Sequence, residues 1–562
     1  MLEPVAAWLV ALEWGLIILV AWLATQSLHD FSRHVQISGV DLVPLTRAAD
    51  FAGQFLRSSG KIPVWDPFIG NGEPMLEAVQ SFILNPLMSV PILLLGAKPG
   101  VLIVVILHAM LLGLGGWAWG RVMGFGTFGR LLVGTLLVSS GSLTGALSHG
   151  VFELAMSQAY VPFVYAGLIA LLYVPGQRWG LLLFVTATAM LVFSGTFWYV
   201  LPTAFGCGII AALALVDFKG RQVRLDEARF GLLLAAGLMV VGVAAVRVLT
   251  INRDLLQHPD MSYDIQISYP QVYINYFDPT FNADKSQWFA IYHYVVPMPL
   301  MLGIAGLALL TWRWVKHDLV GGWRIVVAGI VIILVMSFFG TGPTPVVNAI
   351  YNALAFLKDW RNPGRMAAAA SPWVVLAAGW FFDRLARVAW SLYPSRLVRA
   401  AALTGLLLAG GMAAILVADN WPQSVVLIPT ANLFLNQADA ARLLRQLYPS
   451  SFLAIHTSWI EHYALNETLI RHTYGDDEVF TIGMPPTIGS EGPQYLEEFA
   501  FGDSPDSGNG KWLHDQGYVA VSNVPILPEL GPSLDYNPSA PPYAFVVPEQ
   551  TILDTGSKRL LR

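Results

Sequence analysis

The sequence predicts a mainly α-helical, polytopic membrane protein with about eleven transmembrane helices and a small C-terminal extracytoplasmic α/β domain. Of its 562 residues, 55% are hydrophobic and only 12% are charged, whereas about 25% of the residues in soluble globular domains are charged. Apolar segments long enough to cross a bilayer recur up to residue 420. When about eleven crossings are counted, the basic residues between them fall on one side of the membrane, as the positive-inside rule requires.

The first apolar segment, 5–27, is expected to be a retained helix, because no basic region precedes it and no small-residue cleavage site follows it. Glu13 within this segment is expected to face other helices or to reach toward an interface. The run 82–96 is interrupted by Pro86 and Pro91 and is predicted to be a re-entrant or interfacial piece. The other predicted spans lie near residues 99–120, 131–147, 158–174, 180–196, 198–216, 230–250, 294–312, 325–342, 366–383 and 400–420.

Basic residues in the links between spans set the predicted orientation. They are Arg121, Arg130, Arg178, Lys219, Arg221, Arg224, Arg229, Arg313, Lys316, Arg324, Arg384, Arg387, Arg396 and Arg399. Because basic links are retained inside, the N-terminus is predicted to be cytoplasmic and the C-terminus periplasmic or extracellular. The links 28–97, 148–157, 251–293 and 343–365 then lie on the outer face.

Two domains are predicted from the change in composition near residue 420. Residues 1–420 form the transmembrane domain, in which 28–97 is the first extracytoplasmic loop and contains an amphipathic helix at 47–61. Residues 421–562 form the extracytoplasmic domain, with a helix predicted at 437–448 and strands at 517–527 and 543–549. The single cysteine, Cys207, excludes intrachain disulfides and thiolate metal clusters.

Acidic residues concentrate in the first extracytoplasmic loop. Asp41 lies shortly after the first span, where a carboxylate could act as a general base on an acceptor hydroxyl or could simply cap a helix. Asp66 and Glu73 are the carboxylates of the loop 61–74, whose prolines and glycines are explained by turn formation. Turn formation explains Glu73 less well. Asp66 and Glu73 are both candidates for substrate binding.

Two other outer-face links carry candidate substrate-binding residues. His149 and Glu153 are four residues apart and would share a helix face, as a metal or acid/base pair or as a hydrogen-bonded helix end. Trp288 and Tyr292 belong to an aromatic-rich link, 251–293. Such aromatic residues are typical of a membrane-interface belt, and they would also suit stacking on sugar rings.

Three arginines are predicted to lie at outer ends of spans, against the positive-inside trend. Arg361 and Arg365 directly precede one span, and Arg247 lies near the end of another. Guanidinium groups bind phosphate in bidentate fashion, so these residues are candidates for a donor phosphate site or for contacts with phospholipid headgroups. The chain contains no Gly-rich phosphate loop and no HExxH, CxxC or GxSxG motif, which argues against nucleotide-driven transport and soluble-type hydrolysis.

Several local patterns together resemble the GT-C superfamily of membrane glycosyltransferases, and in particular its YfhO-like branch. The loop sequence GVDLVPL is similar to an early "GD" motif, although Asp41 follows Val40 and not a glycine. The patterns that carry the rest of the resemblance, in chain order, are GKIPVWDPFIGNGEPMLEAVQSFILNPL, SHGVFELAMSQAYVPFVYAGL, WRNPGRM, LHDQGYVAVSNVPIL and YAFVVPE. The WWDxG-type signature of oligosaccharyltransferases is absent from the tail, which argues against transfer of a whole glycan to asparagine.

The resemblance implies a glycosyltransferase of the bacterial inner membrane. It would move a single sugar, with inversion, from a polyprenyl-phosphate-linked donor to a glycan, lipid or protein acceptor of the cell envelope. Asp41 would be the catalytic base or a carboxylate close to a divalent cation, Mg²⁺ or Mn²⁺; no other cofactor is implied. Other membrane subunits are conceivable partners, nucleic acid is not. The alternative is a non-catalytic GT-C-like structural subunit of a larger membrane complex.

Overall fold

The computed structural model describes residues 6–31, 35–37, 81–148, 150–174, 178–194, 199–219, 222–250, 322–340 and 365–392, parts of 49–75 and 346–350, and a few short stretches between 400 and 535. Its helices are α1 (Ala7–Ala24), α2 (Pro86–Leu95), α3 (Ala97–Val122), α4 (Thr127–Val138), α5 (Gly141–Ser148), α6 (Phe152–Gln158), α7 (Val161–Tyr173), α8 (Arg178–Phe193), α9 (Val200–Leu215), α10 (Glu227–Thr250), α11 (Trp323–Phe339) and α12 (Arg365–Leu392). A 3₁₀ turn, Gln26–Leu28, follows α1.

The described part of the chain contains 6 helical spans that are long and apolar enough to cross a membrane. They are α1, α3, α4 with α5, α6 with α7, α10 and α12, and α2, α8, α9 and α11 are shorter apolar helices. All but two of the spans predicted from the sequence coincide with described helices. The segment 294–312 lies outside the described residues and 400–420 lies mostly outside them, so the total of about eleven stays a prediction.

Glycines bring the central helices into close contact. A Cβ atom on Gly113 of α3 would lie 2.6 Å from both Ile17 of α1 and Val138 of α4. Between α4 and α12, a Cβ on Gly129 would lie 2.9 Å from the Gly379 carbonyl oxygen. Small residues at such crossings let helix backbones approach closely, which is how helices in a bilayer gain packing energy.

Helix α2 is too short to cross a bilayer and folds back along α3. It has 10 residues, whereas a spanning helix needs about 20. The turn between the two helices contains Gly96 with φ of 91°, a conformation that a glycine adopts without strain. A Cβ on Gly100 would lie 2.5 Å from the Ile92 Cα atom, so the two backbones are in contact. This geometry agrees with the predicted re-entrant or interfacial piece.

The chain divides into two compact units, one of Met1–Thr46 with Leu76–Ile428 and the other of Arg47–Met75 with Pro429–Arg562. This division differs from the sequence-based domains, because residues 47–75 of the first loop group with the C-terminal part of the chain. The first unit contains all of the labelled helices. It also contains the ribbon of β4 (Val216–Lys219) and β5 (Gln222–Leu225), and the strand β1 (Val35–Ile37), which pairs with β6 (Leu427–Pro429).

The second unit combines a short hairpin, helical residues and a mixed sheet. The hairpin pairs β2 (Trp65–Asp66) with β3 (Glu73–Pro74), and the described residues between 49 and 59 are helical. The sheet has the order β10-β9-β7-β8, with strands β7 (Leu453–Ile455), β8 (Thr481–Ile482), β9 (Val519–Val521) and β10 (Leu534–Asp535). Strand β7 runs parallel to β8 and β9, and β10 is antiparallel to β9.

Strand β9 lies within the strand predicted at 517–527, whereas the predicted strand 543–549 and helix 437–448 lie outside the described residues. Within the helical range 49–59, Ala49 and Ala52 are buried and Arg57 is exposed, which is the pattern of an amphipathic helix.

Candidate functional site

The structure describes some of the residues that the sequence singles out and not others. Asp41, His149, Trp288, Tyr292 and Arg361 lie outside the described residues. Their assignments therefore stay predictions, whereas the remaining candidates lie within the described residues.

Asp66 and Glu73 are direct partners across the β2–β3 hairpin. The antiparallel register pairs Asp66 with Glu73 and Trp65 with Pro74, and the Met75 amide donates to the Val64 carbonyl at 3.0 Å beyond that pair. Residues that oppose each other in an antiparallel ribbon lie on the same face of the ribbon. The hairpin therefore brings the two candidate substrate-binding residues together, although six residues separate them in sequence.

Arg365 is the first residue of α12, a helix of 28 residues. Its main-chain amide is thus among the N–H groups of the first turn that have no acceptor within the helix, where the helix dipole favours an anion. Arg247 lies in the last turn of α10 and is only 1% exposed. A guanidinium group in such an environment must be held by polar or charged partners, which makes Arg247 a part of the interior of the helical unit.

One buried polar network joins α2, α3 and α7 through three side chains. The His108 Nδ1 lies 2.8 Å from the Val104 carbonyl oxygen, and its Nε2 lies 2.8 Å from the Tyr160 hydroxyl. Because a carbonyl can only accept, Nδ1 carries a proton, and in the neutral ring Nε2 accepts from the Tyr160 hydroxyl. The Asn85 Nδ2 donates to the Tyr160 oxygen at 3.0 Å.

Asn85 also defines where α2 begins. Its Oδ1 accepts from the Leu87 amide at 3.0 Å, in the manner of an N-cap, and Pro86 occupies the first helical position. Its Nδ2 makes a second, longer contact of 3.4 Å with the Met190 carbonyl of α8. The Asn85 side chain thus ties the short helix α2 to the start of α7 and to α8.

Another buried polar network joins α5, α6 and α12 at the break between α4 and α5. Ser142 is its centre: its Oγ accepts from the Gln158 Nε2 and lies 2.5 Å from the Ser140 Oγ and 3.3 Å from the Ser371 Oγ. Gln158 and Ser371 are completely buried. The Gln158 Oε1 has no hydrogen-bond donor in the described part of the chain.

Sequence reasoning assigns no roles to these network residues. Two of these residues stand in recognisable local patterns. Asn85 directly precedes Pro86, and Tyr160 belongs to the Y-x-P pattern with Pro162. The partners cannot be inferred, since Asn85 and Tyr160 are 75 residues apart, and His108 and Tyr160 are 52 residues apart.

Within the described residues, no group of three or more His, Cys, Asp or Glu side chains is placed to hold a metal ion. Asp66 and Glu73 occupy paired positions of the described backbone and therefore lie on one face of the ribbon. Carboxylate oxygens are the ligands that Mg²⁺ and Mn²⁺ prefer. The divalent cation that the resemblance implies therefore stays a prediction.

The chain matches no protein-family model and no curated protein sequence. Among solved structures, it is similar to the arabinofuranosyltransferase AftD from Mycobacteria, with a TM-score of 0.53 and 15% identity over 92% of this chain and 35% of AftD. The fold is a GT-C fold. The chain spans about a third of the length of AftD, and the predicted YfhO-like branch stays a prediction.

Weaker similarities extend to two other solved structures. An oligosaccharyltransferase from Archaeoglobus fulgidus matches with a TM-score of 0.48 and 11% identity, over 86% of this chain and 64% of that protein. ArnT from Cupriavidus metallidurans matches with a TM-score of 0.45 and 14% identity, over 91% of this chain and 92% of that protein. The prediction of a mainly helical, polytopic membrane protein is confirmed.

Proposed function

We propose that this chain is a membrane glycosyltransferase that moves a single sugar from a polyprenyl-phosphate-linked donor to a cell-envelope acceptor. The observation that carries the proposal is the fold shared with the arabinofuranosyltransferase AftD over 92% of the chain. Fold alone does not determine chemistry, so the proposal also depends on the residues that the sequence places on the outer face.

The proposed reaction exchanges one bond at the anomeric carbon of the donor sugar. An acceptor hydroxyl oxygen attacks this carbon and Asp41 takes the hydroxyl proton, while the bond from the carbon to the phosphate oxygen breaks. The electron pair leaves with the polyprenyl phosphate, whose new negative charge is held by Arg361 and Arg365. Attack from the face opposite the phosphate inverts the anomeric configuration.

The remaining predicted residues would bind the sugar and the acceptor. Asp66, Glu73 and His149 supply polar groups, and Trp288 and Tyr292 supply aromatic faces for the sugar ring. A divalent cation, Mg²⁺ or Mn²⁺, would bind at the carboxylates of Asp66 and Glu73 and would supply positive charge to the reaction. The protein would act in the bacterial inner membrane, with its N-terminus in the cytoplasm and its C-terminus outside.

The proposal is tested with the full chain in lipid nanodiscs and a panel of radiolabelled polyprenyl-phosphate sugars carrying arabinofuranose, mannose or glucose. Envelope glycans serve as the acceptor. We expect the wild-type chain to transfer label from one donor, and Asp41→Asn to reduce transfer at least about a thousandfold, because the base is lost. Asp30→Asn, an exposed position at the start of the same loop, is the matched control and should retain activity.

Two results would overturn separate parts of the proposal. Full activity of Asp41→Asn would reject this residue as the base while leaving the glycosyltransferase function in place. Failure of the wild-type chain to transfer or hydrolyse any donor, with co-purification of other subunits in fixed stoichiometry, would instead support the structural-subunit alternative.

A further inference from the structure

Four helices meet around two arginines at one end of the helical unit. Arg229 lies in the first turn of α10, and its Nη1 donates to the Ala214 carbonyl in the last turn of α9 at 2.9 Å. Arg324, the second residue of α11, donates from its Nη2 to the Val216 carbonyl at 3.0 Å. The Arg229 guanidinium also lies over the Tyr173 ring, 5.4 Å from its centroid, where α7 ends. We call Arg229, Arg324 and Tyr173 the arginine cluster.

Capping of α9 accounts for one contact of each arginine. The Asp226 amide donates to the intervening Leu215 carbonyl at 2.9 Å, so three successive carbonyls at this helix end have donors. The charges of Arg229 and Arg324 both act on the Tyr173 hydroxyl, so the two guanidinium groups lie near each other. The Asp226 carboxylate is 3.5 Å from the Arg229 Nε, and the two side chains are 31% and 28% exposed. Such an ion pair is weak, and Asp226 neutralises Arg229 only in part.

The sequence around the arginine cluster is basic and contains interfacial aromatic residues. The segments 174–178 and 216–229, which enter or leave these helix ends, contain five basic and three acidic residues. The Arg324 guanidinium lies 5.9 Å from the centroid of the Trp323 ring, and Trp179 at the start of α8 is 40% exposed. Trp and Tyr are enriched where the hydrocarbon of a bilayer meets the headgroups. These features indicate a basic surface at headgroup level, on the side that the sequence predicts to be cytoplasmic.

An exposed apolar face of α10 begins beside Arg229. Phe230, Leu234, Leu238 and Val241 recur at intervals of three or four residues and therefore share one face of the helix. Each of these four side chains is more than half exposed. The face extends about 16 Å along the helix axis, which is comparable to the length of a phospholipid acyl chain. A cationic cluster next to such a face fits a ligand that has both an anionic head and a hydrocarbon tail.

We propose that the arginine cluster binds the phosphate of an anionic phospholipid, whose acyl chain lies along the exposed face of α10. Arg229 and Arg324 come from different helices, and each guanidinium group can donate two parallel hydrogen bonds to phosphate oxygens. The hydrocarbon tail distinguishes this ligand from a free phosphate ion. The site is independent of the proposed glycosyltransferase function, which the sequence assigns to the opposite face of the membrane.

The test uses the full chain in an uncharged detergent, to which dioctanoyl phosphatidylglycerol is added. Zwitterionic dioctanoyl phosphatidylcholine is the lipid control, and inorganic phosphate at the same concentration is the control for a free anion. Thermal unfolding measures stabilisation, and native mass spectrometry counts the bound lipids. The variants Arg229→Gln and Arg324→Gln are compared with Arg387→Gln, which also removes a helix-end arginine that donates to a carbonyl, that of Gly124.

We expect phosphatidylglycerol to raise the melting temperature of the wild-type chain by about 5 °C or more, because it binds the folded state. Phosphatidylcholine and inorganic phosphate should change it by about 1 °C or less on the same principle. Arg229→Gln and Arg324→Gln should each weaken phosphatidylglycerol binding about tenfold and remove most of the shift. Arg387→Gln should keep the full shift. Each shift compares the same variant with and without lipid, so a general loss of stability does not imitate the expected result.

Three results would overturn the inference. Equal stabilisation by phosphatidylcholine would show that the hydrocarbon tail alone binds, and equal stabilisation by inorganic phosphate would show a site for free anions. A full phosphatidylglycerol shift in both arginine variants would place the lipid elsewhere on the protein. Should a glutamine variant fail to fold, Arg229→Lys and Arg324→Lys give the same test, because lysine keeps the charge but loses the bidentate contact. We expect these two variants to weaken phosphatidylglycerol binding about fivefold.

Discussion

Glu13 and Arg130 form a bidentate ion pair inside the helical unit. The Glu13 Oε1 lies 2.6 Å from the Arg130 Nη2, and its Oε2 lies 2.9 Å from the Arg130 Nε. The Trp117 indole N–H donates to the same carboxylate, and Arg130 also donates to the Phe125 carbonyl. Both side chains are almost completely buried, so the pair joins α1 to α3 and α4 with every strong polar group satisfied.

Breaking this pair on one side should be severely destabilising. Glu13→Gln leaves the Arg130 guanidinium buried without a counter-charge, and we expect it to cost about 3–5 kcal/mol of unfolding free energy. The measurement is denaturant unfolding in detergent micelles. The double variant Glu13→Leu with Arg130→Met removes both charges and should recover most of the loss; equal damage in the single and double variants would contradict the role of the pair.

The glycine contact between α4 and α12 should tolerate no side chain. A Cβ on Gly379 would collide with Val133, and the Gly129 carbonyl lies 3.1 Å away. We expect Gly379→Leu to separate the two helices and to lower the melting temperature by about 10 °C or more, on the order of 3 kcal/mol. Gly208→Leu is the control, because no atom of the described residues lies within 4 Å of its added Cβ; a similar loss there would reject the explanation.

The Asp66–Glu73 pairing predicts that the two carboxylates act together. Asp66→Asn and Glu73→Gln should each weaken acceptor or donor binding about tenfold, seen as a higher KM in the transfer assay. The two residues are direct partners in the hairpin. The increase in KM of the double variant should therefore be smaller than the product of the two single increases. Independent, multiplicative effects would show that the carboxylates serve separate functions.

A divalent cation at the hairpin predicts metal-dependent transfer. We expect EDTA to abolish activity of the wild-type chain and Mn²⁺ or Mg²⁺ to restore it, since two carboxylates on one ribbon face suit such ions. The Asp66→Asn variant should need a higher metal concentration for half-maximal activity. Activity that persists unchanged in EDTA would remove the cation from the proposed mechanism.

Arg365 should bind the donor phosphate through the shape of its guanidinium group as well as its charge. We expect Arg365→Lys to weaken undecaprenyl phosphate binding about tenfold, because lysine keeps the charge but cannot form two parallel hydrogen bonds. Arg57→Lys, at an exposed position in the first loop, is the control. If both substitutions have equal effects, Arg365 contributes only to general surface charge.

The sequence is sufficient to place the helices and insufficient to place their polar contacts. Segments such as 99–120 are predictable because lipid requires continuous apolar helices, and α3 follows that segment closely. Glu13 is expected to face other helices, and it does, but the charge pattern identifies Arg130 only as a marker of a cytoplasmic link. Because 117 residues separate Glu13 from Arg130, no local sequence pattern predicts this ion pair.

The hairpin illustrates a different limit of sequence-based prediction. The prolines and glycines of residues 61–74 predict a loop, and strands of only two residues, Trp65–Asp66 and Glu73–Pro74, leave no periodic signal. The register between them arises from turn geometry, which a set of turn-forming residues does not specify. The juxtaposition of Asp66 with Glu73 is therefore visible only in three dimensions.

The second compact unit has a consequence for biosynthesis. Its two parts, Arg47–Met75 and Pro429–Arg562, are separated in the chain by helices α2 to α12. At about 5–20 residues per second, the first part emerges from the ribosome on the order of 20–70 s before the second part begins to follow. The hairpin is therefore synthesised before helices α2 to α12, and the other part of its unit, Pro429–Arg562, is synthesised after them. Translation that stops before Pro429 would leave the segment that contains Asp66 and Glu73 without the other part of its unit.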